Sequence, residues 1–139
     1  EGADGIYIAW EIFGDYADKA SLILKRCVCY ALDRLLGAEK TITTDLPAQG
    51  VVTFMRQEAS SRYVCHLLYA SPVRRGAGIE VIEDILPVYN INVEINVPEK
   101  VKNVYLAPQN IPLDFETAEN GIRLCLDKLE CHQMIILDY

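Results

Sequence analysis

The spacing of apolar residues changes at Gly37, and this change constrains the fold more than any other feature of the sequence. Before it, in residues 15–36, apolar side chains recur every three or four positions, which indicates an amphipathic helix. After it, apolar and polar residues alternate, most clearly in residues 89–97. Such alternation indicates a strand with one buried and one solvated face. The sequence therefore predicts one helix followed by a mainly β region.

The helix predicted over residues 15–36 has signals at both ends. Asp15 can cap its first turn, and Arg34 lies in the last turn, where a positive charge is favourable. Gly37 can end the helix by adopting a positive φ. The apolar stripe consists of Ala20, Leu24, Cys27, Val28, Ala31 and Leu35. We expect one continuous helix, long enough to lie across a small sheet.

Short strand candidates follow one another through the rest of the chain. In chain order they are residues 41–45, 51–56, 62–70, 79–85, 89–97, 103–106, 122–126 and 133–137. The connections are short and have turn chemistry, so neighbouring strands are expected to pair antiparallel. The predicted fold class is mainly β: an antiparallel β-sandwich over residues 38–139, preceded by one long amphipathic α-helix. Residues 1–37 are interpreted as an extended segment and helix that are the remnant of an upstream domain.

Charge and hydropathy argue against two classes of partner. The 139-residue chain has 13 basic and 20 acidic residues, a net charge of −7, and no stripe of Lys and Arg that could neutralise phosphates. We therefore expect no nucleic-acid partner. Charged residues interrupt the longest apolar pattern, so no segment reaches the roughly 20 apolar residues that a membrane span needs. We expect no membrane partner either.

The five cysteines are odd in number and include no C-x-x-C pair, which favours reduced thiols over disulfides or a metal site. We expect them to behave as small buried hydrophobes. Reduced thiols are typical of the cytoplasm, and we expect the parent protein to be there. The first five residues include neither Met nor a basic residue, so we expect the sequence to be a piece of a longer chain.

The residues with catalytic chemistry form no recognisable centre. Glycoside hydrolysis needs two carboxylates facing each other across the scissile bond, one of them kept protonated. Nothing singles out such a pair, and Glu80, Glu83 and Asp84 are interpreted as a solvated acidic cluster. His66 shares an apolar strand face with Val64 and Leu68, so we expect a hydrogen-bonded core or inter-sheet histidine, and a catalytic histidine is the less favoured alternative. We predict no catalytic, cofactor-binding or metal-binding residue in this chain.

The loop of residues 71–78 is the most basic and most glycine-rich part of the chain. Arg74 and Arg75 are its candidate contacts to a ligand or to a neighbouring domain. The favoured interpretation is a mobile hairpin or inter-strand loop without a ligand, because two glycines and two arginines do not make a phosphate-binding motif. The alternative is a loop that contacts a neighbouring domain, an acidic partner or a saccharide.

Residues 5–13 are too apolar for a free tail, since burying each large side chain is worth about 1.5–3 kcal/mol. With one side of the helix, this segment predicts a contact surface for another domain or subunit. The predicted interface residues are Ile6, Ile8, Trp10, Ile12, Phe13, Leu22 and Tyr30. We therefore expect a homo-oligomer.

Several segments, taken in order, resemble the tail of a known family. They include Ile-Phe-Gly-Asp-Tyr (12–16), Leu-Pro-Ala-Gln-Gly-Val-Val-Thr-Phe-Met-Arg-Gln (46–57), Arg-Tyr-Val-Cys-His-Leu-Leu-Tyr-Ala-Ser-Pro (62–72) and Val-Ile-Glu-Asp-Ile-Leu-Pro-Val-Tyr-Asn-Ile (81–91). The chain resembles the carboxy-terminal region of bacterial β-galactosidase-like hypothetical glycosyl hydrolases that carry a trimerisation domain. The resemblance implies an upstream (β/α)₈ barrel that holds the catalytic carboxylates, then a middle domain, then a β-sandwich. Only the end of the trimerisation-type domain and the sandwich match, so no catalytic residue carries over.

The sequence thus predicts a non-catalytic accessory and assembly domain of a larger glycoside-hydrolase-like protein. The alternative is a carbohydrate-binding β-sandwich module. The expected partners are the upstream catalytic domain of the same parent chain and further copies of this chain. Under the alternative, a saccharide is the ligand. We expect no cofactor.

Overall fold

The chain forms two compact units, and a computed structural model describes their residues 5–139. The first unit ends at Lys40, and the second is Thr41–Tyr139. This boundary lies close to the predicted division between residues 37 and 38. The helical region and the β region are therefore separate compact units.

The first unit has two helices where the sequence predicts one. α1 is Ile12–Lys19, α2 is Leu22–Leu36, and a 3₁₀ turn, Gly37–Glu39, follows α2. The break lies at Ala20, which adopts a left-handed φ of 49° and donates its backbone N–H to the Tyr16 carbonyl. The prediction of one continuous helix is wrong at this point, because the apolar stripe continues across a break that only the backbone reveals.

The ends of the helices agree only in part with the sequence signals. α2 ends as predicted at Gly37, which has a φ of 51° and donates its N–H to the Asp33 carbonyl. α1 begins at Ile12, so Asp15 is not a cap but lies in the first turn, where it pairs with Lys19 at 2.5 Å. Ile12 and Phe13 were expected to be extended and are helical instead.

The second unit consists of short strands joined by turns. They are β1 Ile42–Thr44, β2 Val51–Gln57, β3 Arg62–Leu68, β4 Val73–Arg75, β5 Ile79–Val81, β6 Val88–Asn96, β7 Asn103–Ala107, β8 Ile111–Pro112, β9 Phe115–Ala118, β10 Gly121–Leu129 and β11 His132–Asp138. A four-stranded sheet has the order β1-β6-β10-β9, and a five-stranded sheet has the order β2-β3-β11-β7-β8. β4 and β5 form a separate hairpin. All of these strand pairs are antiparallel.

Side chains from the two large sheets form one core. The four-stranded sheet contributes Ile91, Val93 and Ile95, and the five-stranded sheet contributes Cys65 and Leu67, all of them almost completely buried. Burying each large apolar side chain is worth about 1.5–3 kcal/mol, so this shared core holds the sheets together. The predicted antiparallel β-sandwich is confirmed.

The alternation predicted for residues 89–97 changes phase near the start of β6. Ile91, Val93 and Ile95 point into the core as expected, but Tyr89 is 57% exposed. Asn90 has a left-handed φ of 54°, a conformation that Asn tolerates better than most residues. The backbone turns over there, so Val88 packs against the core and Tyr89 points outward.

The sequence analysis missed three strands, β4, β8 and β9. Each has two to four residues, too few for an alternating pattern to stand out. The candidate strand at residues 79–85 is also shorter than predicted, since β5 ends at Val81. The unpredicted β8 and β9 lie at sheet edges, where one neighbouring strand suffices to hold them.

Candidate functional site

The outer face of the four-stranded sheet carries a shallow groove of about 710 Å³. Its floor comes from β1, β6 and β10, and residues 114–116 at the start of β9 form one wall. Because alternate residues of a strand point to opposite faces, the floor consists of the polar residues that lie between the core residues.

One row of side chains crosses the groove from strand to strand. Thr43 pairs with Glu94, Glu94 with Arg123, and Arg123 with Glu116. The Arg123 guanidinium bonds the Glu94 carboxylate, with Nε 3.1 Å from Oε2 and Nη2 3.2 Å from Oε1. The hydrogen bond to Glu94 and the charges of Glu94 and Glu116 raise the pKa of Arg123. Arg123 therefore stands as a fixed positive charge between two acids.

A second row is held by Asp45, which follows β1. Its two carboxylate oxygens accept hydrogen bonds from the backbone N–H of Asn92 at 2.8 Å and from Nδ2 of Asn92 at 2.7 Å. Thr44 donates its hydroxyl to the Asn92 carbonyl at 2.8 Å. Cys125 is paired with Asn92 across the strands, and its side chain is exposed. In both rows, hydrogen bonds or an ion pair therefore join the side chains of one strand to those of the next.

The groove has a net negative charge, but Arg123 places one positive charge among its carboxylates. Four lining residues are carboxylates, Asp45, Glu94, Asp114 and Glu116, against the single guanidinium of Arg123, a formal excess of three negative charges. Phe115 contributes to the wall, but its side chain pairs with the buried Leu124 and packs against the core. The groove therefore presents hydrogen-bond acceptors and donors close together.

The sequence analysis did not identify this groove. Alternation in residues 89–97 predicts that Asn92 and Glu94 point outward. The strand predicted at residues 122–126 likewise predicts that Arg123 points outward. What alternation cannot supply is the strand order, which brings β1 and β10 to opposite sides of β6. The sequence therefore indicated which residues of each strand point outward, but it did not show that these residues lie together.

Arg74 and Arg75, the predicted contact loop, lie on the β4–β5 hairpin. Arg74 pairs in register with Glu80, and Arg75 forms an ion pair with Glu83. Part of the predicted solvated acidic cluster thus faces the arginines. The interpretation as a hairpin agrees with the structure, and a ligand contact by the two arginines stays a prediction.

His66 on β3 lies diagonally across from His132 on β11, since the register pairs His66 with Met134. Cys65 and Leu67 point into the core, so His66 lies on the outer face of the five-stranded sheet. His66 Nδ1 is 2.9 Å from His132 Nε2, and the ring centroids are 5.2 Å apart with planes 15° apart. This separation fits two rings joined end to end through one N–H···N bond, in which one nitrogen donates and the other accepts. His66 is hydrogen-bonded as predicted, but it is half-buried and lies outside the core.

The first unit carries an exposed apolar surface. Phe13 is 70% exposed, and Trp10, Leu22 and Tyr30 are each more than half exposed. Ile6 and Ile8 are half-buried and line a groove of about 450 Å³ with Trp10, Ile23, Arg26, Cys27, Tyr30 and Ala31. Ile12, in contrast, is only 2% exposed and so is not available as an interface residue.

The cysteines are all free, but they are not all buried. Cys65 is buried in the core, and this burial raises the pKa of its thiol to about 12. Cys29 and Cys125 are exposed, which differs from the expectation of buried small hydrophobes. Among residues 5–139, no three His, Cys, Asp or Glu side chains come together in a way that could hold a metal ion. The same residues contain no helix long and apolar enough to cross a membrane.

Comparison with solved structures relates the whole chain to part of an enzyme. The chain superposes on "Alpha-L-fucosidase isoenzyme 2 from Paenibacillus thiaminolyticus" with a TM-score of 0.95 and 51% sequence identity. All of this chain is covered, but only 21% of the fucosidase chain. No family model matches the sequence, and no curated protein matches it. The chain is thus similar to a small part of a glycoside hydrolase.

Proposed function

We propose that this chain is a non-catalytic accessory and assembly domain of a larger glycoside hydrolase. The observation that carries the proposal is the similarity of the whole chain to about a fifth of an α-L-fucosidase chain, with 51% of residues identical. A region of this size leaves most of such an enzyme to supply a catalytic domain. The partner that follows is the catalytic domain of the same parent chain.

The ion pairs of the second unit support a non-catalytic role. Glu94 is paired with Arg123, Glu99 with Arg56 and Glu83 with Arg75. A nearby positive charge favours the ionised form of a carboxyl group, whereas a general acid for glycoside hydrolysis must hold its proton. The hydrogen bond from Tyr63 and the charge of Arg56 lower the pKa of Glu99, so this carboxylate is poorly suited to the acid role.

The β-galactosidase-like parent and the trimerisation-type domain are finer parts of this proposal. The solved structure is named as a fucosidase, so α-L-fucosides join β-galactosides as substrates to test on the parent enzyme. We also propose a cytoplasmic parent protein, and the free state of the five cysteines supports it.

The exposed apolar surface of the first unit is the proposed assembly surface. Trp10, Phe13 and Tyr30 each expose more than half of a large aromatic side chain. Burying such a side chain against a partner stabilises the complex by about 1.5–3 kcal/mol. In the parent the catalytic domain would cover this surface, and in the isolated chain a second copy would do so.

Sedimentation of the chain over a range of concentrations tests the assembly role. We expect a homo-oligomer, and we expect the double variant Phe13→Ser/Tyr30→Ser to sediment as a monomer, because it loses two exposed aromatic side chains from the surface. Trp10 is the only tryptophan, so its emission should shift to longer wavelength in the variant. The matched control is Ile82→Ser, an exposed apolar residue of the second unit, which should leave the oligomer intact. A wild-type chain that stays monomeric with a fully solvated Trp10 would contradict the assembly role.

A carbohydrate-binding module is the second candidate function. The observation that favours it is the polar groove on the outer face of the four-stranded sheet. Its volume is within the range of roughly 300–1,000 Å³ that is typical of small-molecule sites. An accessory domain of a glycoside hydrolase can carry such a site without itself breaking glycosidic bonds.

A further inference from the structure

We infer that the groove on the outer face of the four-stranded sheet binds an uncharged saccharide, with Arg123 at the centre of the site. The inference rests on the second candidate function and names its site and ligand class. The groove spans three neighbouring strands, so its floor is set by the central part of the sandwich and not by a loop.

The floor of the groove is organised before any ligand arrives. Arg123 is held by Glu94 through two guanidinium nitrogens, and Asp45 is held by Asn92 through both carboxylate oxygens. Side chains that are already fixed lose little conformational entropy when a ligand binds. A weakly binding, hydroxyl-rich ligand benefits most from such a floor, since each of its contacts is small.

The hydrogen-bonding groups of the groove match sugar hydroxyls. A hydroxyl donates one hydrogen bond and accepts others, so it fits a surface where donors and acceptors alternate. Arg123 carries five N–H donors, of which those at Nε and Nη2 face Glu94. Glu116, on the other side of Arg123, supplies an acceptor. Two adjacent hydroxyls of one sugar ring could therefore bond Arg123 and Glu116 together.

The charge of the groove selects among ligands of this kind. The excess of three negative charges disfavours uronates and sulfated or phosphorylated sugars. The same excess attracts a basic peptide, which Arg123 opposes only beside Glu94, so such a peptide is the rival ligand in the test. Asp45 accepts one hydrogen bond from Asn92 on each carboxylate oxygen and keeps its negative charge. An uncharged saccharide is repelled by neither sign of charge and can use both the donors and the acceptors of the groove.

One exposed aromatic side chain could contact the apolar face of a sugar ring. Phe115 is not available for this role, because it pairs with the buried Leu124 and packs against the core. Tyr89 is exposed on the same outer face, beyond Asn92 along β6. A chain of more than one sugar could extend from Arg123 towards Tyr89, so we expect binding to strengthen from a monosaccharide to an oligosaccharide.

Titration of the full 139-residue chain followed by NMR tests the inference. The probes are neutral fucosyl-, galactosyl- and glucosyl-oligosaccharides, an oligouronate and a lysine-rich peptide. We expect at least one neutral saccharide to shift the amide signals of Asn92, Glu94 and Arg123, and the oligouronate to shift none of them. Shifts caused only by the lysine-rich peptide would overturn the inference in favour of a protein-docking surface. Silence across all neutral saccharides would also overturn it.

The matched variants are Arg123→Gln in the groove and Arg74→Gln on the β4–β5 hairpin, which is the rival saccharide contact. Arg123→Gln should weaken binding by about tenfold or more, as loss of a charged hydrogen-bond donor predicts, and Arg74→Gln should not change it. The reverse result would overturn the groove and retain a carbohydrate-binding module. Circular dichroism establishes that each variant is folded, and the sedimentation test of assembly is independent of either outcome.

Discussion

At the scale of single residues, a charged network joins neighbouring strands at one end of the five-stranded sheet. Arg56 Nη2 is 2.6 Å from Glu99 Oε1, and the Tyr63 hydroxyl donates to Glu99 Oε2 at 2.5 Å. The Arg56 guanidinium lies 5.9 Å from the Tyr63 ring centroid and 5.5 Å from that of Tyr139. The network ties the loop after β6 to β2, β3 and the end of the chain, so its role is structural.

This network predicts a pH-dependent stability. The hydrogen bond from Tyr63 and, less strongly, the charge of Arg56 lower the pKa of Glu99 in the folded chain. Glu99 therefore stabilises the fold above its unfolded pKa of about 4.3, and this contribution is lost as the pH falls through the lower folded pKa. Glu99→Gln should lower Tm at pH 7, and the difference from wild type should shrink as the pH is lowered.

The control for this prediction is Glu130→Gln. Glu130 also forms an ion pair, with Lys128 at 2.6 Å, but its side chain is mostly exposed and the pair lies within one turn. Exposed pairs contribute little, so Tm should barely change. Equal Tm values for wild type and Glu99→Gln at neutral pH would show that the network does not stabilise the fold.

The histidine pair predicts a modest effect, since His66 is half-buried. His66→Ala removes one hydrogen bond to His132 and should cost about 0.5–1.5 kcal/mol in the free energy of unfolding. Its neighbour Leu67 is completely buried, and Leu67→Ala should cost about 2–5 kcal/mol. Denaturant unfolding of both variants measures the contrast. Equal costs would place His66 in the core after all.

At the scale of elements, β10 begins with a glycine that the sheet requires. A Cβ on Gly121 would lie 2.0 Å from the Ile95 carbonyl oxygen and 2.9 Å from the Asn96 Cα, and both are backbone atoms of the adjacent strand β6. The two strands can approach this closely only where no side chain intervenes. Gly121 thus allows the start of β10 to approach the end of β6 closely.

Gly121→Ala should therefore destabilise the second unit by about 1–3 kcal/mol, because the backbone must shift. Gly14 in α1 is the matched control. A Cβ there would meet only the flexible side chain of Glu11, at 3.0 Å. Gly14→Ala should be neutral or stabilise α1 by up to about 1 kcal/mol through helix propensity. Denaturant unfolding measures both, and a tolerated Gly121→Ala would contradict the strand geometry.

Elements were predictable where a pattern ran long enough. β6 and β10 were found because alternation continued over several residues, and the end of α2 was found because Gly37 marks it. The break at Ala20 was not predictable, since alanine rarely adopts a positive φ and the apolar stripe gives no sign of it. The two-residue strand β8 has no pattern of its own and depends on its neighbour β7.

The site was predictable only in part for the same reason. Outward residues such as Glu94 and Arg123 follow from alternation, but their contact depends on β10 lying beside β6. That pairing is a tertiary contact, since Glu94 and Arg123 are 29 positions apart in the sequence. The apolar segment before α1 was recognised from composition, yet composition could not show that Ile12 faces inward while Phe13 faces solvent.

At the scale of the whole molecule, we propose a different role for each of the two units. The first unit presents the exposed aromatic side chains of an assembly surface, and the second presents a polar groove on a rigid sandwich. Neither feature needs a catalytic centre in this chain. The chain is similar to a small part of a glycoside hydrolase, and under our proposal catalysis belongs to another domain of the parent protein.

The central claim is that this chain accompanies glycoside hydrolysis without performing it. The most direct measurement is the release of aryl alcohol from aryl α-L-fucosides and aryl β-galactosides by the purified chain, compared with its Glu94→Gln and Glu116→Gln variants. We expect no turnover above the uncatalysed rate from any of the three proteins. Turnover by the wild-type chain that either substitution abolishes would contradict the claim.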